Sequence, residues 1–365
     1  MIQRLLNRFD EIIRAQLGPL HVPGCALALI DNREVAVVRV YGFTDLDSLA
    51  PVTPDTLFSL QSVSKSFAAW AVMKLVDGGK VDLDAPASRY LKRWTLPASE
   101  TFDLNLVTPR RLLSHHAGIT TRGFRGVEPQ LRRYTVVEAL RAELPEANGE
   151  QLAYYAEWDL QPDEPVWVAH PPGEAWRYSN AGFAILELMI EDVTGEDFAT
   201  FVSREILAPL GMTESGYERL PGQLYARPCS KLGEPRIDYT WPCRAAAGLY
   251  ASIGDLAKFA CAEMPGPRGE PAGRGVLSPS SITTMFTPHG LADNAGGVQF
   301  EAGLGHLLLT TDGPLNVHHS GGSIGWRSIF SVFPETGAGI CMLMNGDGAN
   351  DLWIPLVREW RTRVR

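Results

Sequence analysis

The 365-residue chain is short of several things, and each shortage removes a class of protein. No run of 18 apolar residues occurs, so no membrane-spanning helix is expected. C-x-x-C and H-E-x-x-H are missing. The doublets His115-His116 and His318-His319 place neighbours on opposite faces of a strand, so no metal is expected. There is no nucleotide-binding glycine loop, and no cofactor is expected. Like charges never form a long block, and the net charge of −9 is diffuse, which argues against a nucleic-acid partner. The five cysteines (Cys25, Cys229, Cys243, Cys261, Cys341) are odd in number and scattered, which reads as reduced thiols in a cytoplasmic protein. The first 18 residues lack the apolar block of a secretory signal. Their apolar positions (Ile2, Leu5, Leu6, Phe9, Ile12, Ile13, Leu17) mark one face of an amphipathic helix instead.

What is present is a globular mixture, 45% hydrophobic, sufficient for a large core. GCALALI and EVAVVRVYGF read as two strands of a hairpin turning at Asp31-Asn32. FAAWAVMKLVD continues a helix that stops at Gly78-Gly79. The middle reads as mostly helical, most clearly at PRRLLSHHAG, TVVEALRAEL, NAGFAILELMIEDVTG and FATFVSREIL. From about residue 296 short strand-like runs return (VQFEAGLGHLLLT, PLNVHHS, SIFSVFP, GAGICMLMN), and the tail reads as a helix capped by Asn350 or Asp351. The expected fold is α+β. One antiparallel sheet, built from both chain ends (1–79 and 290–365) and backed by helices, carries an inserted, mainly helical lobe (80–289), with the site between the lobes.

Within SLQSVSKSFAAW (59–70), Ser62 and Lys65 stand three residues apart, on one side of the first turn of a helix. A helix start offers free N–H groups and a positive dipole end to a nucleophile that must become an alkoxide. A lysine whose pKa falls on burial can take its proton. The plainer reading is a serine near a helix start and a snorkelling lysine. Tyr178-Ser179-Asn180 follows a Pro-Gly loop and opens a helix. Its tyrosine can reach the serine, or Ser179 or Asn180 is simply a cap. His319-Ser320-Gly321 ends a strand, where small residues let a substrate approach a sheet edge, unless it is only a glycine-rich turn.

In this order SVSK (62–65), YSN (178–180) and HSG (319–321) resemble the three motifs of serine hydrolases related to class C β-lactamases and penicillin-binding proteins. LLSHHAGI (112–119), PPGEAWRYSNAGFAILELMIEDVTG (171–195), APLGMTES (208–215) and RAAAGLYASIGDLAKFA (244–260) extend the resemblance over about residues 20–345. It implies Ser62 as the acylated nucleophile and Lys65 with Tyr178 as the base system, leaving open which takes the first proton. A phenol flanked by cations is expected to be partly ionised. The backbone N–H groups of Ser62 and Gly322 would form the oxyanion hole. Asn180, His319, Ser320 and Gly321 would face the substrate.

One departure matters. The third motif begins with His319 where lactamases carry a lysine. A neutral, shorter side chain there disfavours penicillin or cephalosporin hydrolysis and favours the esterase and amidase relatives. Arg327 is either a replacement cation or a structural residue. GGSIG (321–325) fits G-x-S-x-G, but no histidine follows Ser323, so no nucleophile elbow is expected. Phe124, Tyr134, Tyr154, Tyr155, Trp158 and Trp167 are candidates for an aromatic cleft wall, although most of them read as ordinary core or surface aromatics. The expected activity is a cofactor-free carboxylesterase on small or medium acyl esters. A D-residue peptidase or amidase with weak β-lactam turnover comes next, and a non-catalytic ligand-binding relative is the alternative of another class. The expected partner is a small ester, amide or peptide.

Overall fold

A computed structural model describes residues 2–120, 124–157, 165–295, 298–310 and 313–363. Its centre is an eight-stranded antiparallel sheet of β1 (Gly24–Asp31), β2 (Glu34–Gly42), β5 (Leu291–Ala295), β6 (Val298–Ala302), β7 (Leu307–Leu309), β8 (Asn316–Ser323), β9 (Trp326–Phe333) and β10 (Ala338–Met344). Their order is β2-β1-β10-β9-β8-β7-β6-β5. Both ends of the chain meet in it, because β1 pairs with β10. A separate two-stranded ribbon joins β3 (Phe58–Ser59) to β4 (Tyr250–Ala251).

The strand period of two explains why β1 is buried on both sides. Cys25, Leu27 and Leu29 face α1 (Ile2–Gln16) and α11 (Asn350–Arg363), where Leu5, Leu6, Phe9, Ile13, Leu352, Leu356 and Trp360 complete one core. Ala26, Ala28 and Ile30 face the second core, shared with α2 (Ser64–Asp77) and α9 (Ile253–Ala262). The other helices are α3 (Pro109–Leu113), α4 (Val136–Leu140), α5 (Gly149–Glu157), α6 (Asn180–Thr194), α7 (Phe198–Val202), α8 (Arg244–Ala247) and α10 (Pro279–Met285). No helix among the described residues is long and apolar enough to cross a membrane.

Local chemistry shifts several expected boundaries. The β1–β2 turn falls at Asn32-Arg33, both at positive φ (50° and 69°), one residue later than expected. α3 ends at Leu113 because His115 turns left-handed (φ 60°), and α4 is closed by Ala142 (φ 58°) despite its Thr135–Glu138 capping box. The tail helix is not capped at Asn350 or Asp351. A 3₁₀ turn over Asp347–Ala349 leads into it, and Asn350 is already helical. Its side-chain Oδ1 accepts from Arg327 Nε and Trp353 Nε1, both at 3.0 Å.

Candidate active site

The site is built where the ribbon, α2 and β8 converge. Leu60 is gripped from two sides: its N–H donates to Leu249 O (2.8 Å), and its carbonyl accepts from Ser328 Oγ (2.6 Å). Gln61 then takes a left-handed conformation (φ 49°), strained for a residue with a side chain, while its amide donates to Ser59 Oγ at 2.8 Å. Ser62 follows on a 3₁₀ turn (Gln61–Val63), and Lys65 lies on the first turn of α2. The pair is therefore split across the junction of two helix types and does not share one regular turn. β8 closes over it at Gly321. A Cβ there would stand 2.2 Å from Leu60 O and 3.0 Å from Ser62 N, so only glycine lets the strand approach.

Lys65 is completely buried. Its Nζ donates to Ser62 Oγ (3.1 Å) and Ala246 O (2.8 Å), over the rings of Tyr178 (5.0 Å to the centroid) and Phe183 (5.5 Å). Among the described residues no carboxylate pairs with it. Burial pushes its pKa down to about 7, so near neutrality a large fraction is free amine. Tyr178 also hydrogen-bonds with Ser62, but burial outweighs that bond and raises the phenol's pKa. The expected partial phenolate is therefore not found: Tyr178 stays neutral because desolvation, not neighbouring charge, dominates. Its ring lies 4.4 Å from that of His115. His115 Nδ1 accepts the Ser179 N–H (3.2 Å), which places its proton on Nε2, and burial keeps it uncharged. His116 is likewise occupied structurally, donating from Nδ1 to Ser114 O (2.8 Å).

Ser179, between Tyr178 and Asn180, caps α6: its hydroxyl accepts from Gly182 N and donates to Thr120 O, both at 3.1 Å. On either side of that cap, Asn180 lines the cleft and the buried Tyr178 hydrogen-bonds with Ser62. His319 is buried and lies close enough to feel Lys65's charge. Burial first, then that charge, lowers its pKa to about 3. With Nδ1 donating to Ser320 O at 2.8 Å it is a neutral imidazole at physiological pH. Arg327 does not replace the missing cation. Its side chain is spent on Asn350, on the Ser323 and Trp326 carbonyls (2.6 Å each) and on Asp347 (3.5 Å). Ser323 and Gly325 belong to the β8–β9 hairpin, with Gly325 at φ 70°, so the G-x-S-x-G run is a strand turn.

The cleft beside Ser62 measures about 70 Å³. Ser62, Asn180 and Gly322 line it, whereas Lys65, Tyr178, His319, Ser320 and Gly321 are not part of its lining. Phe124, Tyr154 and Tyr155 contribute the expected aromatic rings. Tyr134 lies in a different groove, Trp167 is 47% exposed, and Trp158 falls outside the described residues. Trp241, Cys243 and Ala246 were not anticipated; they sit just before and inside RAAAGLYASIGDLAKFA, the signal that could have found them. No charged side chain lines this cleft among the described residues. Beyond Trp241 opens a groove of about 930 Å³ holding Arg93, Arg133, Arg219 and Arg244, each paired with a carboxylate.

Comparison with known proteins identifies the family and the fold. A family model described as Beta-lactamase matches residues 9–358. The chain is 27% identical to "Esterase EstB" of Burkholderia gladioli, over 93% of this chain and 90% of that protein. It superimposes on a class C β-lactamase with a TM-score of 0.73 at 19% identity, covering 99% of this chain and 97% of the other. The D-alanine carboxypeptidase AmpC of Burkholderia cenocepacia follows at a TM-score of 0.70 and 20% identity, covering 98% and 100%.

Proposed function

The chain belongs to the β-lactamase family and is a serine hydrolase of that family, and from this premise we propose that it is a carboxylesterase that acylates Ser62 with short-acyl esters. The observation that carries the reading is the state of Lys65. A buried amine with a pKa near 7, 3.1 Å from Ser62 Oγ and without a carboxylate partner among the described residues, is a base rather than a structural cation. Lys65 takes the hydroxyl proton as Ser62 Oγ attacks the ester carbonyl. The N–H groups of Ser62 and Gly322 receive the developing oxyanion. The neutral Tyr178 phenol, bonded to Ser62, gives its proton to the departing alkoxide and takes up the one held by Lys65, which returns to the free amine. Asn180 holds the acyl side. Water then attacks the acyl-enzyme, its proton passing to Lys65, and Ser62 is regenerated.

The ester preference is supported by what surrounds the cleft. Its lining is uncharged and aromatic, His319 is neutral, and Arg327 is committed elsewhere. A substrate carboxylate, as in a β-lactam or a peptide terminus, would be desolvated there without a counter-ion. The likeness to an esterase over nine-tenths of both chains supports the same choice.

The test is turnover of p-nitrophenyl butyrate, a chromogenic cephalosporin and a D-alanine p-nitroanilide, with intact-mass detection of an adduct. Ester hydrolysis should dominate, and Ser62→Ala should lose about 10⁴-fold or more in kcat/KM together with the adduct. Faster anilide or cephalosporin turnover would sink the ester preference. An active Ser62→Ala would sink the nucleophile.

A further inference from the structure

We propose that Glu187, which lies outside the cleft wall, is the positioning residue that holds Lys65 against Ser62. The proposal rests on Lys65 being the base. Glu187 is only 1% exposed, in the middle of α6, where a carboxylate is out of place among Leu186, Leu188 and Met189. It follows Asn180 by seven residues and Phe183 by four, so the three share a helix face. One residue lines the cleft, one puts its ring under the Lys65 amine, and the third reaches α8.

α8 is four residues long, and its N-cap residue, Cys243, makes no capping hydrogen bond. Glu187 does that work from outside. One oxygen accepts the Ala245 N–H at 2.8 Å, and the other lies 3.4 Å from Arg244 Nε. The next residue, Ala246, presents its carbonyl to Lys65 Nζ at 2.8 Å, because a helix this short leaves its last carbonyls free. The chain of contacts is unbroken: Glu187, Ala245 N–H, Ala246 carbonyl, Lys65, Ser62. α8 packs against both α2 and α6, so its placement is transmitted to the lysine. The carboxylate's pKa rises to about 7 through burial, opposed by Arg244 and the Ala245 N–H. Holding the N–H depends on reach rather than charge.

Reach and charge can be separated. Glu187→Asp keeps the charge and withdraws the acceptor. Glu187→Gln keeps the acceptor and removes the charge. Glu187→Met removes both and leaves Arg244 with Asp197 (2.7 Å) and Glu191 (3.2 Å), so no cation is stranded. With p-nitrophenyl butyrate, Met and Asp should lower kcat at least fivefold at nearly constant KM. They should also raise the pH midpoint of kcat/KM as water reaches Lys65, while Gln restores both to within about threefold. If Met does not fold, the Asp and Gln pair decides. Wild-type kcat and midpoint in the Asp variant, or a Gln variant as impaired as Asp, would overturn the proposal. Lys65→Met, assayed alongside, separates the failures. If Lys65→Met is active the base assignment is wrong. If it is dead while Asp behaves as wild type, only the role of Glu187 is wrong.

Discussion

Two cations flank the same short helix and are treated in opposite ways. Arg244 opens α8 on the side of the large groove. Burial opposes its charge, but Glu187, Asp197 and Glu191 more than offset it, and its pKa rises. Lys65 meets α8 at Ala246 and finds a carbonyl, a hydroxyl and two ring faces in place of carboxylates. Its pKa falls to about 7. A cation with counter-charges is fixed architecture; a cation deprived of them gives up its proton and becomes a base. The two cavities differ in the same sense. The groove of about 930 Å³ is laced with paired charges, whereas the cleft of about 70 Å³ has none in its described lining, so volume alone would select the wrong one.

The comparison breaks most severely if Lys65 itself is removed. Lys65→Met should cost about 10³-fold in kcat/KM, within the range for loss of a general base. Wild-type kcat/KM should rise with pH through about 7, because protonated Lys65 cannot accept a proton, and that limb should vanish in the variant. A wild-type profile flat from pH 5 to 9 would contradict the assignment. Tyr178→Phe should lose about 10²-fold, with the limb kept near pH 7, since a neutral phenol contributes a proton relay and no charge. A variant within twofold of wild type would take Tyr178 out of the reaction. Giving Lys65 what Arg244 has sharpens the contrast. Cys243 lines the cleft with Ser62 and occupies the N-cap of α8, a position aspartate suits. Cys243→Asp should therefore fold and move the limb upward by about one pH unit or more; an unmoved midpoint would show that counter-charge does not govern the lysine. The smallest effect on rate belongs to Arg327→Ala. It should keep kcat within about threefold while lowering stability by about 1–3 kcal/mol, as bonds to two carbonyls and Asn350 are lost. A large fall in kcat would return Arg327 to the site.

The motifs were legible because each is local. Ser62, Lys65, Tyr178, Asn180 and His319 are letters at fixed spacings, and the fold brings them to one place. The sheet was legible from short strand-like runs bounded by turn residues at both chain ends, and β5 alone of its strands lies before the first of the expected C-terminal runs, near residue 296. Whatever depends on tertiary surroundings was not legible. The complete burial of Lys65, which decides its protonation, is set by Ala246, Phe183 and β8, far apart in sequence. The Ala246 carbonyl has no letter of its own. Helices at 109–118 and 135–144 were read too long because apolar periodicity cannot register a residue that turns left-handed, as His115 and Ala142 do. Glu187 reads in sequence as a polar interruption of an apolar helix, and only the fold shows what it meets.

The grip on Leu60 has a consequence in time. Its carbonyl is bound by Ser328, 268 residues later, and Gly24 at the start of β1 donates to Asn345 Oδ1 across 321 residues. A chain emerging from the ribosome carries the Ser62–Lys65 pair long before it carries β8, β9 or the strand that pairs with β1. Contacts of such separation close late and slowly. The nascent chain thus exposes an unsupported serine turn, and assembly of the reactive centre coincides with completion of the sheet.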